Sequence, residues 1–245
     1  MEVIEYIKNK IRAQKMHMTL IDPAKQSAEE AAKMAKEAYE AGTGAIMIGG
    51  STDLNREKVD ETVLKIKEEV PIPIILFPSG AHVISKYADA IYFMSLLNSN
   101  SPEYLIRQQM MGAPIIKKLG IEPISMGYII IEPGMTVGKV GKAELIRRDK
   151  PEMAAAYALA AQYFGMQLVY LEAGSGAPEP VPPKMVKVVR DWIDIPLIVG
   201  GGIRKAEDAR NIVKAGADII VTGTLVEEVE DIKAAVSEIV KAIRV

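Results

Sequence analysis

A chain of 245 residues with 49% apolar and 25% charged side chains can bury one large core. Its formal net charge of −2 argues against nucleic acid or an anionic membrane as the main partner. The absence of cysteine excludes disulfide partners, thiolate catalysis and cysteine-ligated metals. No apolar run approaches the ~18 residues of a membrane span. Met1-Glu2-Val3-Ile4-Glu5 puts acids where a secretory signal needs cations, so a cytoplasmic protein is expected.

In chain order, an amphipathic helix is predicted over 2–13, followed by a strand at 16–21. Ser27 with Glu30 forms a capping-box pattern that opens a helix to Ala41, and Gly42 is its stop. A strand at 45–48, a helix at 56–69 and a strand at 72–77 follow. The stretch 79–88 is short for a helix and reads as a loop. Next come a strand at 90–94, a helix at 102–119 and a strand at 124–131. A Gly/Pro-containing stretch from Glu132 to Lys150 is the one sizeable loop, a length that commonly carries function. The rest alternates: helix 152–164, strand 167–171, helix 183–193, strand 195–199, helix 205–215, strand 218–222, helix 229–243. The strand runs are short, apolar, rich in β-branched residues and bounded by Gly, Pro, Asp or Ser, as buried parallel strands are. Thr19–Ser51, Ile72–Ser95 and Ile195–Thr224 repeat one strand–helix–strand grammar. The expectation is a single (β/α)8 barrel domain over 1–245 with an extra N-terminal helix.

In such a barrel the loops after the strands share one rim, where activity resides. Those loops read Asp22-Pro23-Ala24-Lys25, Gly49-Gly50-Ser51-Thr52, Tyr170-Leu171-Glu172-Ala173-Gly174-Ser175-Gly176, Gly200-Gly201-Gly202-Ile203 and Thr222-Gly223-Thr224. A phosphate needs several inward backbone N–H groups and close backbone approach, which Gly201-Gly202 and Gly223-Thr224 can supply. The rim is therefore expected to hold a small phosphate ester. Glu172 closes an apolar strand, and its carboxylate can accept a proton from a substrate hydroxyl or be satisfied by neighbouring amides. Asp22 with a hydroxyl from Ser51 or Thr52 suits Mg²⁺, although from spacing alone an Asp-Pro turn is the stronger reading. His17 is expected as a satisfied, partly buried ring and Trp192 as a packing residue. Lys139, Lys142, Arg147, Arg148 and Lys150 are expected as a solvated face. The methionines at 94, 110, 111, 126 and 135 are expected to fill the core or line an apolar cleft.

These runs, with Leu20-Ile21-Asp22-Pro23, Ile75-Leu76-Phe77-Pro78 and Phe93-Met94-Ser95-Leu96-Leu97-Asn98-Ser99, resemble the geranylgeranylglyceryl phosphate synthase family over nearly the whole chain. The Tyr170–Gly176 run is the specific part; the glycine loops alone also fit other phosphate-ester barrels. The resemblance implies a prenyltransferase joining sn-glycerol 1-phosphate to geranylgeranyl diphosphate, which forms the first ether bond of archaeal membrane lipids and releases diphosphate. It implies a glycerol 1-phosphate site at Tyr170 to Gly176, Gly201, Gly202, Gly223 and Thr224. It also implies Mg²⁺ at Asp22 and Ser51, with Glu172 deprotonating the attacking hydroxyl, and an apolar groove that the sequence does not locate. A homo-oligomer, dimer or hexamer, is implied as well. Longer members carry an aromatic in the loop corresponding to 133–142, but Lys139 stands here instead, which weighs against the hexamer. An isomerase or synthase of amino-acid biosynthesis on the same fold, or a synthase using another prenyl length, are the alternatives.

Overall fold

The computed structural model describes residues 1–50 and 55–244. Its strands are β1 (Met16–Ile21), β2 (Ala45–Ile48), β3 (Ile74–Leu76), β4 (Ala90–Leu96), β5 (Glu122–Ile130), β6 (Leu168–Glu172), β7 (Leu197–Gly200) and β8 (Ile219–Thr222). They pair in sequence order, each neighbour parallel, and β8 returns to β1 to close the barrel. Strand parity sorts the side chains, because successive residues of a strand face opposite sides. Met16 and Met18, Tyr92, Met126 and Tyr128, Leu168 and Tyr170, Ile198 and Val221 fill the barrel interior. Their neighbours Ile129, Val169, Leu171, Val199 and Ile220 pack outward against the helices.

The outer layer contains α2 (Ala28–Glu40), α3 (Arg56–Glu69), α4 (Gln108–Leu119), α6 (Pro151–Tyr163), α7 (Pro183–Trp192), α8 (Ala206–Lys214) and α10 (Ile232–Ala242). Two short helices, α5 (Met135–Val140) and α9 (Thr224–Glu228), follow β5 and β8. At the start of α2 the Ser27 hydroxyl accepts from the Glu30 amide at 3.2 Å, and the Glu30 carboxylate accepts from the Ser27 amide at 2.9 Å. The helix α1 (Val3–Ala13) closes the barrel end opposite the rim. Its Val3, Ile4 and Ile7 pack with the barrel interior. The Glu122 carboxylate at the start of β5 accepts from the Val3 and Ile4 amides, the latter at 2.9 Å, and satisfies donors that a helix start leaves without partners. Truncating the fully buried Ile7 to Ala would cost about 2–5 kcal/mol.

The expected loop at 79–88 is borne out, with one 3-10 turn at Ala81–Val83 standing where the other βα units carry a helix. A π-helical turn at Glu103–Arg107 leads into α4. Trp192, expected as a packing residue on a helix, ends α7 with 45% of its surface exposed, so it packs only in part. The methionines divide: Met126 is core, Met94 faces a cleft, and Met110 and Met111 are exposed on α4. His17 is buried on the outer face of β1, with its ring nitrogens 2.9 Å from the hydroxyls of Thr43 and Thr222, as a satisfied ring.

Candidate active site

The inward parity of β6 carries Leu168 and Tyr170 up to Glu172, whose carboxylate therefore stands at the top of the barrel. One Glu172 oxygen accepts from the Gly174 amide at 2.7 Å, and the other from the Tyr128 hydroxyl at 3.2 Å. Burial pushes the Glu172 carboxyl above its ordinary range, opposed by the Gly174 amide and the Tyr170 and Tyr128 hydroxyls. Both tyrosines are pushed well above their ordinary range, first by burial and then by the Glu172 charge, so their hydroxyls stay protonated donors. Tyr128 stands directly across from Tyr170 in the β5–β6 register, and Phe77, Tyr92, Tyr128 and Tyr170 form an aromatic floor of edge and tilted contacts with ring centroids 5.3–6.1 Å apart.

A recess of ≈ 30 Å³ lies above β6, β7 and β8, lined by Tyr170, Glu172, Ser175, Gly201, Gly202, Arg204, Gly223 and Thr224. Gly201 and Gly202 hold φ of +81° and +71°, values that favour glycine. The loops after β6 and β8 are tied together, because the Thr224 hydroxyl accepts from the Gly176 amide at 3.1 Å and lies 3.2 Å from the Ser175 hydroxyl. Among the described residues the amides of Gly202 and Gly223 have no hydrogen-bond acceptor, so both remain as donors for an anion in the recess. Leu171 and Ala173 stand apart from this set. Their side chains turn outward into the core between barrel and helices, and the Ala173 amide and carbonyl are bonded to Gly200 and Gly134. Gly174 acts through its amide on Glu172.

A larger cleft of ≈ 510 Å³ begins at Glu172, Asp22 and Gly50 and crosses the aromatic floor past Phe77, Tyr92 and Met94. It ends between the 78–84 turn, α4 at Gly112 and Ile116, and α5 at Val137 and Val140. The short turn in place of a third helix leaves this flank open. Asp22 follows β1 in the parity of Met18 and Leu20. One of its oxygens accepts from the Ala24 amide at 2.9 Å, and a Cβ built on Gly50 would fall 2.2 Å from the same oxygen. Asp22 thus closes an Asx turn, as its Asp-Pro context led one to expect, and it lines the cleft. Ser51 and Thr52 lie outside the described residues.

Sequence reasoning missed Phe77, Tyr92 and Tyr128 as floor residues and Arg204 in the recess. Tyr128 was detectable in principle, since strand parity puts it on the face of Met126 and opposite Tyr170. The aromatic contacts themselves depend on barrel closure. Within the basic cluster, Arg147 pairs with Asp149 at 2.9 Å and Arg148 with Glu179 at 3.1 Å.

A closed parallel barrel with a carboxylate at one strand end and free amides over a recess defines a phosphate-ester enzyme of the (β/α)8 class. The chain belongs to the PcrB family, whose sequence profile matches residues 9–243. It is 58% identical to the geranylgeranylglyceryl phosphate synthase of Methanosarcina mazei over 231 residues, covering 94% of both chains. It is 55% identical to that of Methanococcoides burtonii over 246 residues, covering all of both. The crystal structure of (S)-3-O-geranylgeranylglyceryl phosphate synthase from Thermoplasma acidophilum in complex with sn-glycerol-1-phosphate superposes with a TM-score of 0.97. That protein is 49% identical, and the match covers 100% of this chain and 99% of that one.

Proposed function

We propose that the chain joins sn-glycerol 1-phosphate to geranylgeranyl diphosphate and releases diphosphate, as a geranylgeranylglyceryl phosphate synthase. The observation that carries this reading is one carboxylate, Glu172, shared by two spaces of opposite character. The polar recess with free Gly202 and Gly223 amides suits the phosphate of a glycerol phosphate. The long cleft over Phe77, Tyr92 and Met94 suits a prenyl chain.

In the reaction the C3 hydroxyl oxygen of glycerol 1-phosphate attacks C1 of the prenyl diphosphate. The new C–O ether bond forms as the bond from C1 to the diphosphate oxygen breaks, and the hydroxyl proton passes to Glu172. Burial favours that transfer by raising the carboxylate's proton affinity, while the Tyr128 hydroxyl and Gly174 amide hold it in place. The aromatic floor excludes water and orients the chain.

The rim has the composition that calls for an added cation. Asp22, Glu172, Glu227 and Glu228 line the cleft, and among the described residues Lys25 is the sole basic side chain there, paired with Glu227 at 2.6 Å. We propose Asp22 as the protein carboxylate that holds Mg²⁺, with Ser51 as its companion; few protein ligands suffice because this ion keeps water and phosphate oxygens. When bound, Mg²⁺ would supply positive charge to the leaving diphosphate. A homo-oligomer acting in the cytoplasm completes the proposal. Incubating the protein with glycerol 1-phosphate, Mg²⁺ and prenyl diphosphates of several lengths tests it. Ether formation peaking at the twenty-carbon chain is expected, and no ether product with any of them would overturn the reading.

A further inference from the structure

The outer flank at the apolar end of the cleft combines two features that do not serve the chemistry. Ile106 and Met110, one helical turn apart, are each 61% exposed, and Met111 and Val140 are each 42% exposed. Ile106 lies on the π-helical turn, Met110 and Met111 on α4 and Val140 on α5; the segment before the turn is tied to the end of α5, with the Asn100 amide donating to the Lys142 carbonyl at 2.9 Å and the Ser99 hydroxyl to the Gly141 carbonyl at 2.6 Å. Val140 marks the junction of the cleft and this flank, since it lines the cleft and keeps 42% of its surface exposed.

The same segments carry Arg107, Lys117, Lys118, Lys139 and Lys142 against the two carboxylates of Glu103 and Glu144. Among the described residues none of these five cations lies within ion-pair distance of a carboxylate, whereas Lys15, Lys25, Lys36, Lys67 and Lys233 elsewhere do. The flank is thus cationic and apolar on a chain of net charge −2. A second copy meeting it about a two-fold axis would set these cations against each other. An anionic lipid surface matches both features, because apolar side chains enter the headgroup boundary while lysines meet lipid phosphates.

We propose that this flank docks on an anionic lipid bilayer, so that the cleft opens toward the phase in which a long prenyl diphosphate resides. This rests on reading the cleft as the prenyl groove. Docking would be reversible, since the four exposed apolar side chains need the cations as a second signal.

Sedimentation of the full chain with vesicles of phosphatidylcholine alone, or mixed equally with phosphatidylglycerol, tests the proposal. The protein should pellet with the mixed vesicles, stay in solution with the neutral ones, and be released by salt. Ile106→Glu with Met110→Glu should abolish pelleting at unchanged Tm, because both positions are exposed. Lys117→Ala with Lys118→Ala should weaken partitioning by about fivefold per charge. Failure to pellet with mixed vesicles, or pelleting unchanged by the double glutamate variant, overturns the proposal. So does ultracentrifugation showing that this variant splits an oligomer, because the stripe then faces a second copy. Turnover of prenyl diphosphate in detergent solution judges the substrate reading separately, and vesicle binding does not depend on it.

Discussion

Glu172 occupies the place that a side chain at position 201 would need. A Cβ built on Gly201 falls 2.3 Å from a Glu172 oxygen and 2.6 Å from the Gly174 nitrogen. The glycine loop after β7 is therefore a steric partner of the carboxylate as well as part of the phosphate recess. Gly201→Ala should lower activity by displacing Glu172 and should also cost stability, about 1–3 kcal/mol, through its left-handed φ. Thermal melting read beside turnover should show both losses, and wild-type behaviour in both would remove the steric link.

Gly223 separates binding from folding more cleanly. Its φ of −124° lies outside the left-handed region that favours glycine, and the nearest atom to a built Cβ, Leu20 Cβ, lies at an ordinary 3.4 Å. Gly223→Ala should melt at the wild-type temperature, while the added methyl weakens sn-glycerol 1-phosphate binding in calorimetry. Unchanged affinity would move the phosphate away from this loop.

Glu172→Gln keeps the shape and loses the base. Loss of general-base help should cut kcat by about 10²–10⁴-fold with little change in KM. A drop under about fivefold, far below that range, would leave Glu172 a structural acid. The acid limb of kcat/KM in the wild type should lie above the ordinary carboxylate range, because activity is lost as pH falls through a raised pKa. Tyr128→Phe removes one hydrogen bond to the charged form and should move that limb further up. A limb at the usual position in both proteins would contradict the assignment.

Asp22→Asn removes the carboxylate charge at the cleft while leaving the recess intact. Turnover should fall steeply and its Mg²⁺ dependence should change, with glycerol 1-phosphate affinity retained. Equal turnover by the variant, or by the wild type in excess chelator, would dismiss the metal site.

His17 predicts acid sensitivity of the fold. Burial lowers its pKa from 6.5 to about 3, so the unfolded chain binds the proton first on acidification. The stability present above pH 6.5 is lost as pH falls toward about 3, by up to about 1.4 kcal/mol per pH unit. His17→Gln should flatten that part of the stability curve measured by denaturant titration; an unchanged slope would show that carboxylates dominate it.

The sequence alone determined the barrel, the helix that precedes β1 and the rim motifs, because these rest on local rules. Short β-branched runs, the Ser27–Glu30 cap and glycines after strands need no distant partner to be recognised. The loop at 79–88 was legible for the same reason. Tertiary structure decided what depended on closure. Strand parity and register turned Leu171 and Ala173 away from the recess, brought Tyr128 from β5 onto Glu172 of β6, and set Asp22 over Gly50. It exposed Trp192 at the end of α7 and turned the missing third helix into a cleft beside α4 and α5. Propensity and periodicity act over a few residues, whereas a site joining β1, β5, β6, β7 and β8 exists only once the barrel aligns strands more than a hundred residues apart.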